Sequence, residues 1–236
     1  MVTPPVAHIS WPQTHRLVLS RFPRIDLFDD IADPHDWEAL AAAQARTNPR
    51  TYEEIGDLSR VPPDRRLSGD GASWVMASFT HVSPDRKSRF SDGAYGVYYA
   101  ARDFETALRE HTHHIGVFYA DAGMEAGWHS EVRQLVGAID ADLTDIRGEG
   151  FEVLLLPDDY AAPQALGAAL RADGCNGVVY PSVRHPGGEC VGAFYPDVVA
   201  PPIQGDHFRY YWDGTAIRYA RKISGDRSIF DLAGAD

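Results

Sequence analysis

The stretch that decides the fold runs from residue 88 to residue 110 and reads SRFSDGAYGVYYAARDFETALRE. It begins with a glycine-containing loop that carries Arg89, and the aromatic and β-branched residues that follow predict a strand. Asp103 is then expected to cap a helix with apolar residues on one face. Because a loop, a strand end and a helix can meet at one pocket, Arg89, Tyr99 and Glu110 are candidates for one site.

These three residue types suit chemistry on a small anionic substrate. Arg offers fixed donors that match a phosphate, Tyr offers a flat ring and a hydroxyl, and a carboxylate can stabilise positive charge or activate a nucleophile. The ordinary alternative is that Arg89 pairs with a surface acid, Tyr99 belongs to the core and Glu110 solvates a helix face. Spacing alone favours that alternative, since such residues are common on surfaces.

A second candidate loop spans residues 180–190 and reads YPSVRHPGGEC. Ser182 stands where a predicted strand ends, and Gly187 and Gly188 allow the backbone to approach a neighbour closely. Ser182 is therefore a candidate for lining the same pocket, and the ordinary alternative is that it caps a turn.

The remaining sequence indicates an α+β fold. Helices are predicted after Asp33-Pro34, from Thr51, where Thr-Tyr-Glu-Glu has the form of a capping box, and over 160–172, before Gly174. Further strands are predicted at 73–80, 132–139, 177–180 and 190–194, and a hairpin turn at Asp213-Gly214. The strands are short and unevenly spaced, which favours α+β over a doubly wound parallel sheet.

Composition excludes several function classes. The 236 residues carry 22 Lys and Arg against 34 Asp and Glu, and this acidic balance argues against a nucleic-acid ligand. No apolar run approaches the ~20 residues of a membrane span, and the first residues lack the pattern of a signal peptide. With only Cys175 and Cys190, neither a disulfide framework nor a four-cysteine zinc site is expected. We therefore expect a cytoplasmic protein that does not associate with membranes.

The charge is unevenly distributed along the chain. Residues 60–102 sum to +3, whereas residues 103–173 sum to −10. A basic segment inside an acidic protein could hold an anionic small molecule. The alternative, that these charges only solvate loops, is equally compatible with the pattern.

Residues 110–114, Glu-His-Thr-His-His, look at first like a metal site. Glu110 and His114 are four residues apart, so one helical face could present both. The His-Glu-x-x-His order is absent, however, and no distant third ligand stands out. The sequence therefore predicts no metal, with His111 at the edge of the core and His113 and His114 facing solvent.

The chain resembles the RES-domain toxins in two stretches. The first is 88–110, with its Arg loop, strand, helix and Glu, and the second is the later pattern strand-Ser-Val-Arg-Gly-Gly-strand. That family is named for its Arg, Glu and Ser. Weaker blocks extend the resemblance over most of the chain, at 15–24, 47–50, 71–76 and 210–214. The resemblance implies one ADP-ribosyltransferase-like domain over 1–236, with short mixed β-sheets and flanking helices. Residues 1–70 would be an N-terminal extension packed on it, and residues 203–236 a C-terminal hairpin tail.

The same resemblance implies a site that uses NAD+ as substrate and needs no metal. Glu110 would stabilise the oxocarbenium-like state, Arg89 would hold the pyrophosphate, Tyr99 would orient the nicotinamide end and Ser182 would fix the ring. A further family Arg matches either Arg16 or Arg21.

The resemblance also implies an activity and partners. The chain would be the toxin of a type II toxin–antitoxin pair, with an Xre-type antitoxin that contains a helix-turn-helix. Its length favours transfer of ADP-ribose to a cellular protein target. The alternatives are an NAD+ glycohydrolase or phosphorylase, a metal hydrolase that uses Glu110 and His114, and a non-catalytic domain that binds a ligand or docks an antitoxin.

Overall fold

The strands pair into one mixed sheet in the computed structural model, which describes residues 3–22, 24–29, 33–48, 50–225 and 228–232. Within these residues there are eight strands: β1 Val6–Leu19, β2 Tyr98–Ala101, β3 His129–Asp145, β4 Gly177–Pro181, β5 Glu189–Ala193, β6 Ile203–Trp212, β7 Ile217–Lys222 and β8 Ile229–Asp231. The sheet order is β1-β2-β5-β4-β3-β6-β7-β8. Because β1 also pairs with β3, the first five strands of that order form a closed circuit.

The pairing of the strands confirms the α+β prediction. All the pairs are antiparallel except β3 with β4. The long strand β3 pairs with β1 along most of its length, with β6 in its first half and with β4 at its end. The chain is thus a single mixed α/β domain. Within residues 1–70, β1 is an inner strand of the sheet; the domain boundaries themselves stay a prediction.

Helices flank the sheet: α1 Asp26–Asp29, α2 Trp37–Ala45, α3 Thr51–Ile55, α4 Ala72–Thr80, α5 Phe104–Asp121 and α6 Ala161–Ala172. Short 3₁₀ turns lie at Pro34–Asp36, Leu58–Arg60, Pro63–Arg65, Glu152–Leu155 and Pro196–Val198. The predicted helix after Asp33 is present, with Asp33 accepting from the His35 backbone N–H. The helix at Thr51 is also present, but the capping box is wrong, because Thr51 Oγ1 donates to the Asn48 carbonyl instead.

The strand predicted at 73–80 is wrong: these residues belong to helix α4. Seven of its nine residues are buried, among them Trp74, Met76 and Phe79. A helix buried on nearly every side has no polar stripe, so its apolar run cannot be told from a buried strand by periodicity.

Local signals elsewhere are confirmed. Asp103 caps α5, since its carboxylate accepts from the Thr106 N–H at 2.8 Å. Gly174 follows α6 with φ of +75°, the left-handed conformation that glycine adopts most readily. Gly214, with φ of +99°, makes the predicted turn between β6 and β7.

The described residues form three hydrophobic clusters, and the candidate residues adjoin two of them. One contains Phe90, Phe151, Val178, Tyr180 and Phe194 beside α6. Another packs α5 against β6 and β7, through Leu108, Phe208, Tyr210 and Trp212. The loop before β2, the helix after β2 and the loop after β4 meet between these clusters.

Candidate active site

Glu110 and Ser182 form a direct hydrogen bond. Glu110 lies two turns into α5, and Ser182 follows β4. Ser182 Oγ donates to Glu110 Oε1 at 2.6 Å and accepts from the backbone N–H groups of Arg184 and His185 at 3.2 and 3.0 Å. Because these two donors engage the hydroxyl lone pairs, its single proton points at the carboxylate. The Glu110 carboxylate is therefore held in one orientation.

The glycines after Ser182 bring this loop against α5. Gly187 has φ of +83°, and the Gly188 carbonyl accepts from the Ser182 N–H at 2.8 Å. A Cβ at Gly188 would collide with Thr106 Oγ1 on α5. The close approach expected from the sequence is thus an approach to the helix that carries Glu110.

Arg89 is buried but is only partly hydrogen-bonded. Its Nη1 donates to the carbonyls of Leu154 and Leu156 at 3.2 and 2.9 Å, and its guanidinium carbon lies 4.8 Å from the centre of the Tyr160 ring. Among the described residues, Nε and Nη2 have no hydrogen-bond partner. These N–H groups can donate to an anionic ligand.

Tyr99 holds the turn that carries Arg89. Its hydroxyl donates to Ser88 Oγ at 2.9 Å and accepts from the Phe90 N–H at 3.0 Å. Burial raises the pKa of Tyr99 to about 12. Gln164 of α6 supports the same turn, because its Nε2 donates to the Ser88 carbonyl at 2.9 Å. The hydroxyl of Tyr99 is therefore engaged with the protein on both sides of Arg89.

The structure separates the two N-terminal candidates. Arg16, on β1, donates from Nη1 to the Tyr99 carbonyl at 2.8 Å, and its guanidinium lies 4.6 Å from the centre of the Tyr98 ring. Burial lowers the pKa of Arg16. Arg21 is exposed in the turn after β1, with its guanidinium over the Phe22 ring at 5.1 Å. Arg16 is thus linked to the strand of Tyr99, whereas Arg21 lies at the surface.

The charges of three candidate residues act on one neighbour, Tyr180, at the end of β4. Burial raises the pKa of Tyr180; the charges of Cys190, Glu110 and Tyr99 raise it further, and that of Arg89 opposes them. The Phe90 ring lies 5.1 Å from the Tyr180 ring. Arg89, Tyr99 and Glu110 thus lie near Tyr180, and Ser182 joins them through its bond to Glu110.

The sequence reasoning missed Arg184, which lies in the same loop as Ser182. Its Nη2 donates to the Pro157 carbonyl at 2.8 Å and to Asp158 Oδ1 at 3.3 Å. Burial, followed by the charge of Arg184, lowers the pKa of His113 on α5 to about 4. The sequence signal that could have identified Arg184 is its position two residues after Ser182, in a glycine-containing loop.

The histidines of α5 occupy different environments. His111 is half-buried, as expected, and its Nδ1 lies 3.1 Å from the Tyr210 hydroxyl. His113 is half-buried rather than solvent-facing, because Arg184 and its loop lie beside it. His114 is exposed, with Nε2 3.7 Å from Glu110 Oε2. Within the described part of the chain, no group of three or more His, Cys, Asp or Glu residues is arranged to hold a metal ion.

A hollow on the surface lies apart from this cluster. It lies near α2 and α3 and is lined by Glu38, Tyr52, Asp57, Arg60 and Thr80, among others. Its charges are already paired, Glu38 with Arg66 and Asp57 with Arg60. We therefore place the candidate site at Arg89 and Glu110, where reactive groups converge.

No helix in the described residues combines the length and apolar character needed to cross a membrane.

Known proteins resemble this chain over most of its length. A relative from Sinorhizobium fredii (strain NBRC 101917 / NGR234), the uncharacterized protein y4oC, is 29% identical, with 94% of each chain covered. A solved structure, the M. tuberculosis MbcT-MbcA toxin-antitoxin complex, matches 92% of this chain and 86% of its own at 12% identity. The TM-score of this match is 0.44. The family model of the RES domain matches residues 62–213, well over half of the chain and all four residues around the site, and the chain therefore belongs to the RES domain family.

Proposed function

We propose that this chain is the toxin of a toxin–antitoxin pair, and that it cleaves the nicotinamide–ribose bond of NAD+ and transfers ADP-ribose to a protein. The observation that carries the proposal is the Glu110 carboxylate, fixed by Ser182 at 2.6 Å, near the guanidinium of Arg89, since the charges of both residues act on His114. A fixed negative charge beside an anion-binding group suits a phosphorylated substrate on which positive charge develops.

The reaction breaks the bond between C1′ of the ribose and the nicotinamide nitrogen. The electron pair leaves with nicotinamide, which becomes neutral, and positive charge spreads over C1′ and the ring oxygen. Glu110 stabilises that charge, as carboxylates do in glycosidases. The acceptor then forms a bond to C1′ and loses its proton. Ser182 prevents the carboxylate from turning away, so little reorganisation is needed when the charge develops.

Arg89 binds the substrate through its phosphates. Its Nε and Nη2 can donate to a phosphate, in a bidentate pair where the geometry allows. Tyr99 and Gln164 support this role indirectly, because both form hydrogen bonds to the turn that contains Arg89. Tyr99 is therefore a positioning residue in this proposal, and its ring is the part that remains for contact with the nicotinamide end.

The acceptor and the partner follow from the family resemblance and from the length of the chain. Helices α1 to α3 precede the matched segment and expose apolar side chains such as Leu40 and Tyr52, which suits a protein acceptor. The proposed partner is an Xre-type antitoxin with a helix-turn-helix, which covers Arg89 and inhibits through an acidic group that competes with phosphate.

The experiment is mass spectrometry of NAD+ products from the purified chain, with and without cell lysate, beside the Glu110→Gln variant. A lysate protein labelled with ADP-ribose supports the proposal; free ADP-ribose or ADP-ribose-1″-phosphate without lysate assigns water or phosphate as acceptor instead. Unchanged NAD+ in every sample, together with unimpeded growth of cells that express the soluble chain, contradicts NAD+ cleavage and the toxin role.

A further inference from the structure

Two arginines from different loops hold one short stretch of backbone. Arg89 Nη1 donates to the carbonyls of Leu154 and Leu156, and Arg184 Nη2 donates to the carbonyl of Pro157. Leu156 and Pro157 are neighbours, with Cα atoms about 3.8 Å apart across a trans peptide. The two arginines therefore meet at this backbone, and the charges of both act on His114 of α5.

Both guanidinium groups are largely buried and have N–H donors without a hydrogen-bond partner among the described residues. Arg89 is 8% exposed, and the side chain of Arg184 is 17% exposed. In the part of the chain that the structure describes, Nε and Nη2 of Arg89 and Nε and Nη1 of Arg184 have no hydrogen-bond partner. Asp158, the carboxylate nearest to Arg184, is 91% exposed and 3.3 Å away, so it screens the positive charge only weakly. Two largely buried cations with unfilled donors favour an anion with more than one charged group.

Arg184 is also tied to the reacting side of the site. Its backbone N–H donates to Ser182 Oγ, the hydroxyl that orients Glu110. Asp158, which it contacts, and Glu110 both act on His113 of α5. Arg184 therefore lies near the Glu110 carboxylate, in a different loop from Arg89, and the charges of all three residues act on His114.

We propose that Arg184 is a second phosphate-binding residue, and that Arg89 and Arg184 bind the two linked phosphates of a dinucleotide, one each. This inference rests on the proposed function and deepens it, because it makes the diphosphate the feature by which the site selects its substrate. The carbonyls of Leu154, Leu156 and Pro157 occupy Nη1 of Arg89 and Nη2 of Arg184. The phosphates take the other nitrogens of the two guanidinium groups. A ligand with a single phosphate can satisfy only one of the two arginines.

The test is calorimetry on Arg184→Gln, with Arg209→Gln as the matched control. Arg209 lies on β6 and pairs with Glu131 at the surface, so its removal deletes an arginine outside the cleft. The ligands are NAD+, AMP and nicotinamide mononucleotide, the last two being the single-phosphate halves of NAD+, measured in competition with NAD+. Thermal melting checks the fold of each variant, and Arg184→Lys keeps the charge with fewer donors.

We expect Arg184→Gln to lower the affinity for NAD+ at least tenfold. It should lower the affinity for only one of the two mononucleotides, whereas Arg89→Gln should lower the affinity for the other. Arg184→Lys should recover part of the loss, and Arg209→Gln should bind like the wild type. Unchanged NAD+ affinity in Arg184→Gln overturns the inference. Equal effects on both mononucleotides, including no effect on either, also overturn it, since a merely structural role would not distinguish them. If the wild type binds no NAD+, the proposed function fails instead.

Discussion

Arg66 and Arg89 are buried to almost the same extent, 7% and 8% exposed, but they are bonded differently. All three nitrogens of Arg66 donate, to the carbonyls of Pro34, Leu58 and Val61 and to the Glu38 carboxylate. Only Nη1 of Arg89 donates within the described residues. A buried arginine with every nitrogen engaged stabilises the fold, whereas one with open donors is available to a ligand.

The same contrast distinguishes the hollow near α2 and α3 from the candidate site. The open hollow near α2 and α3 is lined by charges that are paired within the protein. At the candidate site, by contrast, Glu110 is oriented by Ser182 and Arg89 is bonded through Nη1 alone among the described residues. Substitutions on the two sides of this contrast should separate residues that maintain the fold from residues that do the chemistry.

Glu110→Gln gives the largest expected effect and tests the chemical side of the comparison. Gln keeps the shape and can still accept from Ser182, so stability should change by less than about 0.5 kcal/mol. NAD+ turnover should fall about 100-fold or more, because the lost charge acts mainly on the transition state. Product assay, calorimetry with NAD+ and thermal melting measure these quantities. A folded variant within a few-fold of wild-type activity removes Glu110 from the mechanism.

Arg66→Gln and Arg89→Gln compare the two buried arginines directly. Arg66→Gln should lower the free energy of unfolding by about 2 kcal/mol, less than for a fully buried pair because Glu38 is half-exposed. Arg89→Gln should weaken NAD+ binding about tenfold or more with a smaller loss of stability, since fewer protein contacts disappear. Urea unfolding and calorimetry on both variants give the comparison. Equal stability losses, or equal losses of NAD+ affinity, would show that the pattern of donors does not distinguish the two residues.

Tyr99→Phe sharpens the comparison at a residue that acts through Arg89. It removes the hydroxyl that bonds Ser88 and the Phe90 N–H, so we expect a loss of about 1 kcal/mol in unfolding free energy. The KM for NAD+ should rise several-fold while kcat changes less, because the variant loosens the binding turn and leaves Glu110 in place. Steady-state kinetics measures this split. A fall in kcat with unchanged KM would place the Tyr99 hydroxyl in the chemical step.

The smallest expected effect is a pH dependence at His111. Burial, followed by the charge of Arg16, lowers the pKa of His111 to about 3, against about 6.5 in the unfolded chain. The unfolded state therefore binds the extra proton between these values, and stability falls as the pH drops below 6.5. Between pH 7 and 5.5 we expect His111 to account for up to about 1 kcal/mol, reduced by its partial exposure.

The His111→Gln variant isolates that contribution. Gln keeps a polar contact to Tyr210, and His113 titrates in both proteins, so it cancels in the comparison. Urea unfolding at pH 7 and 5.5 should show a smaller decline for the variant. The same decline in both proteins would mean that His111 does not sit in a dehydrated position beside Arg16.

Much of the site could be predicted from the sequence because its parts lie close together along the chain. Asp103 caps α5 through the Thr106 N–H, three residues away, and the helical repeat then places Glu110 two turns on. Gly187 and Gly188 lie within six residues of Ser182. Local geometry of this kind depends on a few neighbouring residues, and so a short pattern predicts it.

Other features depended on contacts that no short pattern records. Residues 73–80 form a helix because the sheet and the N-terminal helices bury them on nearly every side, although their composition also suits a strand. Arg16 and Arg21 are alike in the sequence, and only the pairing of β1 brings Arg16 to the Tyr99 carbonyl.

The sequence by itself determined which chemical groups are present: an arginine loop, a capped helix with Glu110 and a serine at a strand end. The tertiary structure alone decided which of them are free to act. Arg89 bonds to carbonyls 65 and 67 residues away, and Arg184 reaches Pro157 from a different loop. Whether a buried donor is filled by the protein or left for a ligand depends on such distant partners, because hydrogen bonds act over a few ångströms in space regardless of separation along the chain.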